Sequence, residues 1–435
     1  MAGAGTFLGG ASGRLLAAAI VFRFFATAVL LHLLAWLTLF FAVPSLSDFA
    51  GGLGWPLAAL HLVTLGVLVM TTIGASLQLL PVATRQSVPS ARWPYELIWI
   101  LYTLGTLAVC SGMAFAAPRL LGSGALAAAA ALLLYLLLLA RNLYGAKGMA
   151  LVVLHGWVAA VSLLLLLGSG LSLVGAYSGL ALLERQNAIA WHVTFAGYGF
   201  MGLLVMGFSY ILVPMFALSD NPAPRWSNLS LGLALAALAL AALVLIGLLP
   251  VSLFGASIAA GGLAFLVHVV LMEQSLRSGM RQGLGSSFVL VRIGWACLAA
   301  SLALALALEM ELAIRHGAVL FGVLLIGGLL TLLLGMLSRI VPFLAAMHAG
   351  AGMRRPPTPS RMTVQRALDV HLHSHSMALL LLLAGVFFDS SWLLLAGAAA
   401  GTLGAAAYAY FFAVACWRMT RSAPEKGAPA GAKSA

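Results

Sequence analysis

Three histidines, His61, His192 and His316, stand near the start of long apolar stretches of this 435-residue chain. A neutral imidazole is a good ligand for iron, copper and zinc. Two histidines from different helices can bind one haem iron from both faces, which produces a low-spin electron carrier. The residues around the three histidines decide whether the histidines could act together.

Each of these histidines is followed by a glycine and then by a related phrase that ends in proline. The glycines are Gly66, Gly197 and Gly322, and the closing phrases are GASLQLLP (74–81), GFSYILVP (207–214) and GMLSRIVP (335–342). The closing prolines lie 133 and 128 residues apart. A unit of about 130 residues therefore occurs three times.

The composition indicates a membrane protein. The chain is 63% hydrophobic and only 7% charged, with a mean hydropathy of +1.10. About 20 apolar residues in a helix cross a hydrocarbon core of roughly 30 Å. Twelve such runs predict an all-α polytopic membrane protein. The predicted spans are Arg14–Val43, Trp55–Ala83, Pro94–Ala116, Leu120–Leu143, Ala150–Val174, Asn187–Leu218, Trp226–Leu249, Val251–Met272, Phe288–Leu308, Leu312–His348, His371–Phe388 and Ser391–Trp417.

The twelve spans are predicted to form a single membrane domain, residues 1–421. Its three pseudo-repeats of four helices cover roughly 14–143, 150–274 and 288–418. The apolar block around Pro250 must then be a hairpin of two helices. Residues 422–435 are rich in Ala, Pro, Lys and Gly, which predicts a disordered cytoplasmic tail.

The formal net charge of +12 follows a membrane pattern. Most Arg and Lys residues fall in alternate loops and in the tail, which is the positive-inside bias. This bias predicts cytoplasmic N- and C-termini in a bacterial inner membrane, and it argues against nucleic acid as a partner. The first apolar run is too long for a signal peptide. Cys110, Cys297 and Cys416 form no CxxCH attachment, so any haem would be held by noncovalent ligation.

In this topology the second, sixth and tenth helices all run from outside to inside. Each repeated histidine would lie about five residues, or roughly 8 Å, below the outer end of its helix. Gly66 and Gly322 would let a flat ring approach the helix backbone. The alternative is a histidine that merely hydrogen-bonds a neighbouring helix. The histidines precede the closing glycines by 13, 15 and 19 residues, so we expect a kink or bulge in the tenth helix at Gly327-Gly328.

Three groups of four helices, with histidines near the outer ends of the second, sixth and tenth, resemble the catalytic subunit of the haem-copper oxidase and nitric oxide reductase superfamily. The resemblance covers nearly the whole chain in topology. It implies an oxidase subunit I-like fold and one haem b, with His61 and His316 as its axial ligands. It also implies that His192 occupies the place of a copper or non-haem iron ligand.

Several features of the superfamily are missing from this sequence. Ala196 stands where a tyrosine often follows the sixth-helix ligand, and the seventh helix, Trp226–Leu249, contains no histidine. His316 lacks the second histidine expected two residues later. The arginine pair that holds haem propionates is absent from Phe388–Trp392. We therefore expect a divergent member that keeps one haem and lacks a complete oxidase reaction.

A second group of histidines lies near the predicted cytoplasmic face. His371 and His375 are four residues apart and would share a helical face. With His348 or Asp369 they could hold copper or zinc. The alternative is a set of solvated interface residues. We interpret His155 and His268 as helix-packing residues, and His32 as a further residue on the haem side.

Polar residues also precede the closing prolines. Gln78, Tyr210 and Arg339 lie three, four and three residues before them. We expect their side chains to bond backbone carbonyls that the prolines leave free, with a polar route for protons or substrate as the alternative.

Two hypotheses of different classes follow from these patterns. The first is a haem b protein of the inner membrane that transfers electrons or handles O2 or NO, with a cytochrome or quinol as donor and respiratory-complex subunits as partners. The second is a membrane transporter or copper-handling protein that uses the same histidines. The chain contains no phosphate-binding loop of the Walker type, which argues against an ATP-driven pump.

Overall fold

The computed structural model describes residues 14–87, 89–180, 182–281, 283–351, 353 and 356–422. These residues form helices and no β-strand. Twelve of the described helices are long and apolar enough to cross a membrane, so the protein is an all-α polytopic membrane protein, as predicted. The spans are α1 Ala18–Ser45, α2 Trp55–Ala83, α3 Trp93–Ala114, α4 Pro118–Tyr144, α5 Ala150–Ala176, α6 Arg185–Ala217, α7 Pro224–Leu245, α8 Val251–Ser278, α9 Ser286–Glu309, α10 Gly317–Ala349, α11 Gln365–Phe387 and α12 Ser391–Ser422.

The predicted hairpin at Pro250 is confirmed. The seventh helix ends at Leu245, and the eighth begins directly after the proline at Val251. At the other end of the chain, α12 continues to Ser422, the first residue of the predicted disordered tail. The remainder of that predicted tail, 423–435, lies outside the described residues.

The largest differences from the predicted spans occur at helix ends. The tenth helix begins at Gly317, five residues after Leu312, because the chain turns at Glu311 and His316, which both have positive φ values. The eleventh helix begins at Gln365, six residues before the first residue of the apolar run. Helical hydrogen bonds continue into polar residues, so hydropathy does not mark that end.

Each group of four helices is built in the same way. Its first helix packs against its second and its third against its fourth, which gives the pairs α1 and α2, α3 and α4, α5 and α6, α7 and α8, α9 and α10, and α11 and α12. The last helix of each group contacts the first helix of the next group, and α12 closes back onto α1. This arrangement repeats three times around the bundle.

The centre of the bundle is formed by α2, α6 and α10. In these spans 67%, 78% and 61% of the most apolar stretch is buried, against at most 50% in the other nine described spans. The α10 helix contacts both α2 and α6. The Thr72 hydroxyl of α2 also donates to Met201 Sδ of α6 at 3.6 Å. The helices that carry the repeated closing prolines are therefore the central ones.

Two of the central helices contain a π-helical segment. The segment in α2 is Leu62–Val69, directly after His61, and the segment in α6 is Thr194–Gly202, two residues after His192. A π-turn contains an additional residue. The residues before it therefore face a different direction from the one that a regular α-helix with the same number of residues would give them. The tenth helix is α-helical from Gly317 to Ala349. The bulge expected in α10 is therefore wrong, whereas the kink that was its alternative stays a prediction. The π-helical irregularity occurs in the other two repeats.

The polar residues before the closing prolines do not bond the carbonyls that those prolines leave free. Within the described chain, the side chains of Gln78 and Tyr210 have no hydrogen-bond partner. Arg339 donates to Ser287 Oγ at 2.7 Å and to the Leu284 carbonyl oxygen beside the start of α9. The prediction was wrong: Arg339 reaches the start of α9, and the Tyr210 ring packs against His155 and His268 of neighbouring helices.

Candidate cofactor site

The structure brings His61 of α2 beside His192 of α6. The centroids of the two imidazole rings are 6.2 Å apart, and the ring planes are inclined by 37°. His61 is the last residue of the first α-helical segment of its span, and His192 is the last but one. Both side chains are partly buried between central helices. This pair is hereafter called the His61/His192 pair, and its end of the bundle the His61 end.

The hydrogen bonds of His61 determine which ring nitrogen is free. Its Nδ1–H donates to the Leu57 carbonyl oxygen at 2.9 Å, which leaves the lone pair of Nε2 available. A metal-ligating histidine commonly donates its second ring N–H to a backbone carbonyl in this way. The Nδ1 atom of His192 is buried and has no hydrogen-bond partner among the described residues. The pair therefore retains unused ligand atoms.

A small residue of α5 lies against the ring of His192. An added Cβ atom on Gly170 would stand 3.3 Å from His192 Cε1. A contact of that length requires the neighbour to move by only a few tenths of an ångström. Packing around the His61/His192 pair is therefore close on this side but not overfilled.

His316 does not share the depth of the other two repeated histidines. It precedes the first residue of α10, with a φ of 54°, and its Nδ1 lies 3.7 Å from Asp48 Oδ1. The prediction that His316 lies about five residues inside its helix is wrong. Nineteen residues of regular α-helix before Gly335 span roughly 28 Å, against roughly 20 Å for the thirteen residues between His61 and Gly74. Haem ligation by His61 and His316 stays a prediction.

The two glycines that were predicted to admit a flat ring differ in their surroundings. A Cβ atom on Gly66 would lie 3.1 Å from Leu31 of α1, so a side chain already fills that face. Gly322 has open space at the same position, with no described atom within 4 Å. Leu31 of α1 therefore occupies the face of Gly66 that was expected to admit a ring, whereas the face of Gly322 is open. Cofactor binding beside the two glycines stays a prediction.

A second group of histidines joins α1 to α11. The rings of His371 and His375 are 5.2 Å apart on one face of α11, which confirms that they share a helical face. The ring of His32 lies 6.2 Å and 6.3 Å from them. All three side chains are almost completely buried. We call these three residues the His32 cluster.

One ring nitrogen of each histidine in the His32 cluster forms a hydrogen bond with a neighbouring residue. The Trp36 indole N–H donates to His32 Nε2 at 3.0 Å. His371 Nδ1–H donates to the Gly404 carbonyl oxygen at 2.9 Å. His375 Nε2 lies 2.8 Å from Thr331 Oγ1. Each histidine is thereby fixed by a different helix: α1 itself, α12 and α10.

These partners also determine whether the second nitrogen of each ring carries a proton or a lone pair. The Thr331 hydroxyl donates its proton to the Gly327 carbonyl oxygen, so it must accept from His375. His375 Nδ1 and His371 Nε2 therefore present lone pairs, and His32 Nδ1 presents an N–H. None of these three atoms has a hydrogen-bond partner in the described ranges. The cluster is thus a buried group with two acceptors and one donor.

The third members predicted for the α11 site lie elsewhere. The ring of His348 packs against Phe22 at 6.3 Å, and Asp369 accepts a hydrogen bond from Gln365. His32 was not predicted as a member of this group, because its neighbours come from the far end of the chain. Among the described residues, no three His, Cys, Asp or Glu side chains are arranged to hold a metal ion as they stand.

Comparison with known proteins leaves the family open. No protein-family model matches the sequence, and no curated protein matches it.

Proposed function

We propose that this membrane protein binds one haem b and acts in electron transfer or in the handling of a diatomic gas such as O2 or NO. The observation that carries the proposal is the 6.2 Å separation of the His61 and His192 rings. An imidazole nitrogen lies about 2 Å from a bound metal, so two coaxial rings on one metal have centroids roughly 6 Å apart. Two imidazoles from different helices at that spacing fit a single iron.

The pair also retains unused ring nitrogens. His61 Nε2 has a free lone pair, and His192 Nδ1 is buried without a partner among the described atoms. Bound haem supplies one-electron redox chemistry. The residues of the chain would hold its iron and fix the ring planes. The Leu57 carbonyl oxygen would orient His61 by accepting its N–H.

A complete oxygen-reducing centre is not part of the proposal. Such a centre needs a second metal beside the haem, and α7 contains no histidine to supply its ligands. We further propose that the protein is related to oxidase subunit I and lies in a bacterial inner membrane with cytoplasmic termini. Its electron donor would be a cytochrome or a quinol. Subunits of a respiratory complex are the protein partners that it implies.

The test is the absorption spectrum of the full chain, purified from haem-replete cells and analysed as the pyridine haemochrome. The wild type should show a Soret band and sharp reduced α bands. His61→Ala and His192→Ala should each lose them, and the exposed His373→Ala is the matched control. Loss in His316→Ala but not in His192→Ala would favour the originally predicted axial pair. A colourless wild type without iron would overturn the proposal.

A second candidate function is metal handling, and the His32 cluster is the observation that favours it. His371 and His375 present two buried lone pairs four residues apart, with His32 beside them. Imidazole suits copper and zinc. After exposure to copper or zinc, the wild type should retain metal that His371→Ala loses and His373→Ala keeps. Equal metal content in all three proteins would exclude the cluster as a metal site.

A further inference from the structure

An elongated cavity of about 450 Å³ lies between α6, α7, α8, α9 and α10. This volume lies within the range of pockets that hold small organic ligands. Most of the lining is apolar, and it includes small residues of α7 and α8 such as Ala237, Gly261 and Ala264. Only 17% of the most apolar stretch of α8 is buried. The cavity therefore lies behind the span that is least enclosed by protein.

The two ends of the cavity differ in chemistry. Gln186 and Glu309 line it at the His61 end, where α6 begins and α9 ends. His268 lines it farther along α8, eleven residues after Ser257, which corresponds to roughly 16 Å along a helix. The cavity is therefore long enough for a ring with part of an extended apolar tail.

His268 is an unsatisfied polar group that faces this cavity. Its side chain is 1% exposed, and neither Nδ1 nor Nε2 has a hydrogen-bond partner in the described part of the chain. A neutral imidazole carries one donor and one acceptor. A buried donor or acceptor without a partner is costly, so a ligand that supplies both kinds of partner would be bound selectively.

Two further polar residues stand behind His268. The Tyr210 ring packs against it at 5.1 Å and against His155 at 5.6 Å. His155 Nδ1–H donates to the Leu151 carbonyl oxygen at 2.8 Å, and its Nε2 is buried without a partner among the described residues. The Tyr210 hydroxyl lies near Ser227 and Ser230 but makes no hydrogen bond of ordinary geometry to a described residue. Side-chain donors and acceptors without hydrogen-bond partners are thus concentrated at this one position in an otherwise apolar region.

The charges of the cavity argue against a phospholipid as the occupant. Its described lining contains Glu309 and no Lys or Arg, so nothing there would compensate a phosphate. A neutral ring with oxygen substituents avoids that problem. A quinone carbonyl can accept from the imidazole N–H of His268, and a quinol hydroxyl can donate to its lone pair. We infer that this cavity binds an isoprenoid quinone, with the ring at His268 and the tail along α8.

The position of the cavity deepens the proposed function. The bound quinone, once reduced to the quinol, would be the electron donor, and that role rests on the proposed function. Thr194, Gly197 and Tyr198 of the cavity lining belong to the π-helical segment that follows His192. A quinone in the cavity would therefore lie beside the helix that carries one histidine of the His61/His192 pair. Quinone binding itself requires no haem.

The experiment measures binding of a short-chain ubiquinone to the full chain in nanodiscs of defined phospholipid. His268→Leu should weaken binding by roughly tenfold or more, because the ring oxygens lose their partner. His268→Gln keeps a donor and an acceptor and should bind within about threefold of wild type. The haem spectrum of every variant is recorded in parallel. Binding without any Soret band would contradict the proposed function and leave this inference standing.

A pair of adjacent glycines supplies the steric control. Gly261 lines the cavity, where an added Cβ would make only an ordinary 3.6 Å contact with Ala237, and Gly262 faces open space. Gly261→Leu should fill the cavity and abolish saturable binding, whereas Gly262→Leu makes the same change of residue type and should bind as wild type. Wild-type affinity in both His268→Leu and Gly261→Leu would overturn the inference, as would a bound phospholipid that quinone does not displace.

Discussion

The His61/His192 pair is partly buried and the His32 cluster almost completely buried, and the two groups of imidazoles are held in different ways. In the pair, one hydrogen bond to the Leu57 carbonyl oxygen orients His61, and the rings lie beside π-helical turns. In the cluster, every ring forms a hydrogen bond with Trp36, Gly404 or Thr331. The pair is the more open of the two, and the cluster is the more completely supported.

This difference separates two requirements that a cofactor site must meet. Free ligand atoms at a suitable spacing are present in the pair, and rigid support is more complete in the cluster. Ring orientation in a metal site depends on such support. The comparison therefore predicts that substitutions at the pair change cofactor content, whereas substitutions around the cluster change stability.

The largest expected effect concerns haem content. His61→Ala should lose essentially all bound haem, since one axial ligand is removed, while His371→Ala should keep it. The measurement is the ratio of Soret to protein absorbance for both variants purified in parallel. Haem loss in His371→Ala with retention in His61→Ala would show that the haem is bound at the His32 cluster and not at the His61/His192 pair.

Glycine substitutions probe how tightly each group is packed. A Cβ on Gly401 would lie 2.1 Å from the Trp36 ring, against 3.3 Å from the His192 ring for Gly170. Gly401→Ala should therefore displace Trp36 and destabilise the protein by about 1–3 kcal/mol, the usual cost of overpacking. Gly170→Ala should cost less. Thermal unfolding in detergent measures both, and Gly262→Ala, with open space around it, is the reference.

The acceptor of His375 gives a third, more local test. Thr331→Val leaves the buried His375 N–H without its partner, which should cost about 1–3 kcal/mol. The control is Thr402→Val, because the Thr402 hydroxyl bonds only the Ala398 carbonyl oxygen of its own helix among the described residues. Its effect should stay within about 0.5 kcal/mol. Equal destabilisation by the two substitutions would contradict the support assigned to Thr331.

The smallest effect concerns the start of α6. The Glu184 carboxylate accepts from the backbone N–H groups of Asn187 and Gln186, which lowers the pKa of Glu184 below its ordinary value. A lowered pKa in the folded state stabilises the protein above the ordinary pKa, and this contribution disappears as the pH falls through the lowered value. Glu184→Gln should therefore lower the melting temperature slightly at pH 7 and not in strong acid. Glu311→Gln is the control, and a difference that persists in acid would count against the cap.

The spans were predictable because each crossing needs a long apolar run, and the hairpin at Pro250 followed from run length alone. The His61/His192 pair was partly predictable, because the repeat indicated equivalent positions. The repeat could not show that α10 stays regular and leaves His316 outside its helix. The His32 cluster depends on packing between the first and the last helices, and no local pattern around His32 reports such a contact.

The π-helical turns act as phase shifts in helices that are otherwise regular. Each inserts one residue between a histidine and the proline-bearing half of its span. Removing one residue from Leu62–Val69, for example Gly66, would restore an α-helical turn and leave His61 facing nearly the same direction, because the wide turn already accommodates the additional residue. One residue added to the regular helix between Met70 and Pro81 would instead rotate His61 by about 100° relative to the end of α2. The deletion should therefore retain haem binding, whereas the insertion should abolish it as fully as His61→Ala does, although every histidine is retained. The direction in which His61 faces thus depends on the length of the regular helix that follows it.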